Sequence, residues 1–229
     1  MIKKLSVIAA LLATVAISTN ASAAVLLTSD AGYTGPYLDL TAYATGGYNF
    51  TFGPKPIPGG ITFTRDPSTA SNSGLGGVLG QGGYGLVANG SFGGAAVYAG
   101  LDGRDGWIRF TLSAPVSMFG AYVNYATPGY GDPLIRALAQ DGTVLAEYDL
   151  ATLAPVSTPG GFNQFAFRGI DLGQTGIYAL ELDNAYILAA ASANGDPTNP
   201  NGNVPEPGSL ALIALGLAGL GAVRRRTAK

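Results

Sequence analysis

The chain contains neither cysteine nor histidine in 229 residues, and charged side chains make up only 11% of it. Without cysteine no disulfide can hold the fold together, so core burial has to do so. Without histidine the commonest general base is missing, and with it Ser-His-Asp triads, Cys-His pairs and the usual zinc sites. Catalysis by carboxylates alone is still chemically open. Asp132, Asp141, Glu147, Asp149, Asp171 and Glu181 offer many pairs, but no spacing selects one, so a non-enzymatic role is expected. Long hydrophobic runs are confined to the two ends.

At the N-terminus Lys3 and Lys4 precede an apolar stretch from Leu5 to Ile17, followed by Ala21-Ser22-Ala23. A basic start, an apolar core and small residues at the exit are the layout of a secretory signal peptide. Residues 1–23 are assigned to it, with cleavage between Ala23 and Ala24. At the C-terminus, Leu210 to Val223 contains no side chain able to hydrogen-bond. A surface helix would show a polar face there, and none is present. As a helix the run rises about 21 Å against a hydrocarbon layer of roughly 30 Å. Arg224, Arg225 and Arg226 follow it, close part of that gap by snorkelling and hold the end in the cytoplasm. Before it, Pro205-Glu206-Pro207 forms a stiff extended peptide that an enzyme can grip with little entropy loss.

Residues 24–192 form one expected domain, 193–203 a flexible Asn-, Gly- and Pro-rich linker, and 204–229 the tail. The region between signal and tail carries six basic and 13 acidic residues, a charge of −7 hidden beneath the overall −2. It has no basic patch for nucleic acid. Gly is abundant, and Tyr, Phe, Val and Thr fall in short alternating runs. Expected strands are Tyr48–Phe52, Ile61–Arg65, Tyr84–Asn89, Ala95–Ala99, Trp107–Leu112, Val116–Tyr125, Leu134–Ala139, Thr143–Asp149, Phe162–Ile170, Ile177–Leu182 and Ala185–Ala189. Ile108, Phe110 and Leu112 share one face of their strand, and Phe119, Ala121, Val123 and Tyr125 share one face of the next. Asp141-Gly142 is a hairpin turn. No segment shows helical periodicity. The expected fold is all-β, a two-sheet jelly-roll-like sandwich. A signal peptide precedes it and one hydrophobic sorting helix follows.

Val204-Pro205-Glu206-Pro207, the apolar run and the Arg cluster together resemble the PEP-CTERM sorting signal of Gram-negative bacteria. The resemblance covers about a tenth of the chain. It implies export, transient insertion in the inner membrane, and removal of the tail by an exosortase, a membrane-embedded cysteine transpeptidase. It places the mature protein at the cell surface or in an extracellular matrix among exopolysaccharides. A second resemblance, over about residues 60–188, rests on Trp107 to Val116, Phe119 to Val123, Phe167-Arg168-Gly169-Ile170 and Leu180 to Asn184. These are similar to the exported, galactose-binding-like sandwich bodies that precede such tails.

Candidate sites in the body are few. Trp107 and Tyr130 are the aromatic candidates for stacking on sugar rings, with Tyr122, Tyr125 and Tyr148 also considered; Tyr130 lies between glycines in the 125–133 loop. The resemblance to sandwich modules with a structural calcium marks Asp183 and Asn184 as ligands. Two side chains fall short of the six to eight oxygens calcium takes. Asp102-Gly103-Arg104-Asp105-Gly106 reads as a turn rather than a cation loop. A non-catalytic structural or exopolysaccharide-associated role is expected, with a carbohydrate-binding module holding a structural calcium, or a carboxylate-dependent glycan enzyme, as alternatives.

Overall fold

A computed structural model of the chain describes residues 23–68, 76–126 and 129–190. The signal segment up to residue 22, Ala21 included, lies outside them. So do the linker and the whole tail with Val204, Pro205, Glu206, Pro207, Arg224, Arg225 and Arg226. Among the described residues no helix is long and apolar enough to cross a membrane; the Leu210–Val223 run lies outside that search.

The strands are β1 (Val25–Leu27), β2 (Tyr48–Thr51), β3 (Lys55–Ile57), β4 (Ile61–Arg65), β5 (Gly77–Gln81), β6 (Tyr84–Gly85), β7 (Ser91–Phe92), β8 (Val97–Leu101), β9 (Trp107–Val116) and β10 (Met118–Asn124). They continue as β11 (Leu134–Leu138), β12 (Val144–Asp149), β13 (Ala166–Asp171), β14 (Ile177–Asp183) and β15 (Leu188–Ala190). A single-turn helix α1 (Leu150–Leu153) follows β12. Seven strands form one antiparallel sheet in the order β1-β13-β10-β15-β8-β5-β2, and six form a second in the order β12-β11-β14-β9-β4-β3. Strands β8 to β15 cross repeatedly between the sheets, giving β13-β10-β15-β8 opposite β12-β11-β14-β9. This is the strand order of a jelly roll, as the sequence predicts.

Alternation explains the packing. In β9, Ile108, Phe110 and Leu112 are buried while Trp107, Arg109 and Thr111 face outward. Phe119, Ala121 and Val123 of β10 meet them across the interior, joined by Phe63, Ile135, Ile170, Leu180 and Leu182 from both sheets. The seven-stranded sheet is also covered on its other face. There Val78, Tyr98 and Leu188 pack beneath Leu86 and Phe92 of the β6–β7 hairpin, and Tyr122 and Phe167 pack beneath Tyr33 and Tyr37. Gly120 pairs directly opposite Gly169, leaving a bare strip on which the Phe167 ring lies. A Cβ at Gly120 would stand 2.7 Å from Phe167 Cζ.

Several expected elements shift. Only Tyr84–Gly85 of the expected Tyr84–Asn89 strand is extended, because Val87 takes φ 52° and Asn89 N–H closes a turn on the Leu86 carbonyl at 2.9 Å. Ala185–Ala189 begins instead with a left-handed turn, and the strand starts at Leu188. Residues 162–165 precede β13 as loop. The helix α1 exists because Asp149 caps it, accepting from Ala151 N–H at 2.8 Å and Thr152 N–H at 3.2 Å. Four residues are too few to show a helical period.

Candidate functional site

One end of the sandwich carries the loops that follow β8, β10 and β14. In the loop after β14, Asn184, Ala185 and Tyr186 have φ of 62°, 55° and 53°. Three successive non-glycine residues in the left-handed region cost roughly 1–2 kcal/mol each. The 102–106 loop meets that cost through its backbone. Its Gly106, Arg104 and Gly103 carbonyls accept the N–H groups of Asn184, Ala185 and Tyr186 at 2.8, 2.8 and 2.9 Å. The loop expected as a turn therefore acts as a template for its neighbour. Tyr186 is held with its ring edge-to-face against Tyr130, centroids 5.9 Å apart.

These two tyrosines form the rim of an open basin of about 440 Å³. Tyr48 and Phe50 of β2 line it from the sheet, and Tyr84 of the β6–β7 hairpin walls it. Tyr48 stands nearly perpendicular to both Phe50 and Tyr84, at 78° and 81°, so the rings make the corners of a box. Asp102 also lines it, only 4% exposed, and its Oδ1 accepts from the Tyr84 hydroxyl at 2.8 Å. Burial, then the nearby Asp102 charge, raises the Tyr84 pKa well above the ordinary phenol value. Tyr84 therefore stays a neutral donor. Among the described residues the lining is aromatic faces, the Val87 side chain, one carboxylate and glycine backbone, with no Lys or Arg. Such a surface can stack against C–H faces and accept hydrogen bonds from hydroxyl or ammonium groups.

The outer face of the six-stranded sheet presents a second arrangement. Glu147, Arg136, Glu181 and Arg109 lie in register across β12, β11, β14 and β9. Arg109 Nε donates to Glu181 Oε2 at 2.9 Å; Arg136 Nη1 donates to Glu181 Oε1 at 3.1 Å and also pairs with Asp183, while Arg136 Nε pairs with Glu147. Alternating charge across adjacent strands is the favourable cross-strand pattern. Asp183 Oδ1 is buried with no hydrogen-bond partner among the described residues. Burial first, and then Glu181, push the Asp183 carboxyl up to about 7, with Arg136 pulling the other way.

The residues nominated from sequence thus separate. Tyr130 joins the basin. Trp107 does not line it: its ring lies under the Arg109 guanidinium, 4.3 Å from centroid to Cζ, on the charged face. Asp183 serves Arg136, while Asn184 Oδ1 accepts from Gly106 N–H at 3.1 Å and its Nδ2 donates to the Asp132 carbonyl at 3.1 Å. That donor set does not fit a calcium ion, which needs six to eight oxygens. Among the described residues no group of three or more His, Cys, Asp or Glu side chains is placed to hold a metal. Ala23 is exposed and Ala24 half-buried, its carbonyl accepting from the Tyr148 hydroxyl at 2.6 Å. Tyr122 donates to Asp30, and Tyr125 is fully buried with its hydroxyl accepting from Val156 N–H at 2.9 Å. Asp141, Asp149 and Asp171 accept backbone N–H groups two residues ahead, in turns and a helix cap. Sequence reasoning missed Tyr48, Phe50, Tyr84, Asp102 and Tyr186. The signal present was the density of tyrosine, but nothing local said that residues 48, 84, 102, 130 and 186 converge.

No curated protein and no solved structure matches the chain. Residues 203–226 match the family model described as the PEP-CTERM protein-sorting motif. This motif marks an exported protein, directed to the cell surface and processed by an exosortase-like membrane enzyme.

Proposed function

We propose that the chain is a non-catalytic envelope or matrix protein whose jelly roll associates with exopolysaccharide through the aromatic basin. The signal peptide delivers it across the inner membrane, with cleavage before Ala24. The tail pauses it there until the exosortase-like enzyme cuts near Val204–Pro207. The folded domain begins at that cleavage point: β1 starts at Val25, and Ala24 is already bound by Tyr148. β15 runs antiparallel to β10, away from the loop end that carries Tyr130 and Tyr186, and ends at Ala190.

The observation that carries the reading is the convergence of Tyr48, Tyr84, Tyr130 and Tyr186 on one open concavity beside Asp102. A pyranose offers apolar C–H faces and a rim of hydroxyls, and this basin offers the complement of both. The acidic residues considered for catalysis supply no second carboxylate to the basin lining. The test is affinity chromatography of the mature protein on exopolysaccharide from the producing cells. Retention of the wild type, and its loss in Tyr130→Ala with unchanged thermal stability, is expected. Equal elution of the two proteins would overturn the reading.

A further inference from the structure

We infer that the open edge between β2 and β3 holds a second saccharide subsite, which takes an acidic sugar by its carboxylate and continues the aromatic basin across β2. This rests on the glycan-binding reading above and adds the class of sugar. β2 and β3 are terminal strands of the two sheets. A cavity of about 210 Å³ opens between them, with Tyr43, Asn49, Phe50, Thr51, Lys55 and Leu79 among its walls. Strand alternation calls for apolar side chains here. Lys55 stands opposite Phe63 in the β3–β4 pair and two residues before Ile57, both buried, so it shares their inward face. Asn49 stands opposite the core residue Leu79, and Thr51 lies on the same side of β2. Three inward positions at the mouth of the sandwich therefore carry an ammonium, an amide and a hydroxyl.

These groups can act as donors to one anion. The Thr51 hydroxyl oxygen accepts the Gly53 N–H at 3.0 Å, which leaves its hydrogen to donate. Lys55 forms no salt bridge among the described residues. An ammonium flanked by neutral donors holds a carboxylate by charge-assisted hydrogen bonds, shorter and stronger than neutral ones. The Tyr43 hydroxyl donates to the Pro56 carbonyl at 2.6 Å, which pins its ring as a wall. Pro56 has no N–H to offer a further strand, so this edge resists strand addition and stays open to a ligand. Phe50 belongs to the linings of both this cavity and the basin, so the two adjoin across β2. A linear saccharide laid over β2 would set one ring on the aromatic faces and the next beside Lys55. The body carries 13 acidic against six basic residues and repels a polyanion at range. At physiological salt the Debye length is about 8 Å, so that repulsion fades before the contact at Lys55 does.

The test is calorimetric titration of the mature protein, at neutral pH and physiological salt, with a hyaluronan oligosaccharide, in which uronate and neutral N-acetylated sugars alternate. The same oligosaccharide methyl-esterified at every carboxylate is the comparison. The acid form should bind at least about fivefold more tightly than the ester. Lys55→Met should remove most of that difference, and Tyr130→Ala should weaken both forms. Equal or tighter binding of the ester by the wild type, or no binding of either form, would overturn the inference. So would displacement of the acid form by an equal concentration of inorganic phosphate, which would assign the cavity to a small free anion. A Lys55→Met protein that keeps the preference and only loses solubility would make Lys55 a guard of the sheet edge, and would overturn it too. The glycan reading of the basin fails separately, if Tyr130→Ala leaves retention on native exopolysaccharide unaltered. The comparison of acid and ester on the wild type requires no variant to fold.

Discussion

Asn184 Oδ1 accepts a hydrogen bond from the backbone N–H of Gly106 at 3.1 Å, across 78 positions of sequence. Its backbone N–H returns the bond to the Gly106 carbonyl at 2.8 Å. One side chain thereby locks the loop after β8 to the turn after β14, and its amide nitrogen ties in the Asp132 carbonyl as well. The three loops so joined supply Asp102, Tyr130 and Tyr186 to the basin.

Asn184→Ala removes both side-chain bonds and leaves a β-carbon residue at φ 62° that no longer has asparagine's local compensation. A loss of about 2–3 kcal/mol is expected. Asn184→Gly loses the same bonds but accepts the backbone angle, and should cost only about 1 kcal/mol. Thermal or denaturant unfolding of the two variants checks the order. Glycine less stable than alanine would show that the left-handed angle is not the controlling term.

Stability should depend on pH through Asp183. Its folded-state carboxyl is raised from the ordinary 3.8 to about 7 by burial and by Glu181, against the opposing Arg136. The folded chain therefore holds this proton to higher pH than the unfolded chain does. The contribution is full below the unfolded value and is lost as pH rises through about 7. Asp183→Asn should lose less stability than the wild type between about pH 4 and about pH 8. Denaturation midpoints across that range are the measurement, and parallel curves would refute the assignment.

Gly120→Ala places a methyl 2.7 Å from Phe167 Cζ and 2.8 Å from the Arg168 carbonyl. Both neighbours are buried, so destabilisation of about 1–3 kcal/mol is expected. Gly47→Ala meets nothing within 4 Å and should change stability by no more than about 0.5 kcal/mol. Similar effects at the two positions would contradict the tight packing of the third layer.

The tail can be followed by intact mass. Protein recovered from cells with an active exosortase should end near residues 204–207, and replacing Pro205, Glu206 and Pro207 together with alanine should leave the tail attached. A wild-type C-terminus still at Lys229 would exclude sorting by this route.

Sequence alone fixed what depends on short stretches of chain. The alternation in Trp107–Leu112 dictates a strand with one buried face whatever surrounds it, because side chains alternate at a period of two. The same local logic made the PEP triplet, apolar run and arginines readable as a sorting signal, and the jelly roll followed from many such strands in one chain. Where several alternating strands lay against tyrosine and glycine, the pattern was weaker: β5 is Gly77–Gln81, every residue buried, with no alternation to read. Arg168 looked like an ordinary basic residue. In the fold it is 7% exposed and donates to the carbonyls of Thr28, Ala154, Pro155 and Phe167, tying loops from distant segments. Only the tertiary structure could decide the site, because its members come from five separate segments and none is distinctive alone. Trp107 had the composition of a sugar platform and was covered by its own neighbour Arg109; Asp102 looked like part of a turn and became the carboxylate lining an aromatic basin. Charge and ring faces acquire a function from what stands opposite them, and that is a property of distance in space rather than along the chain.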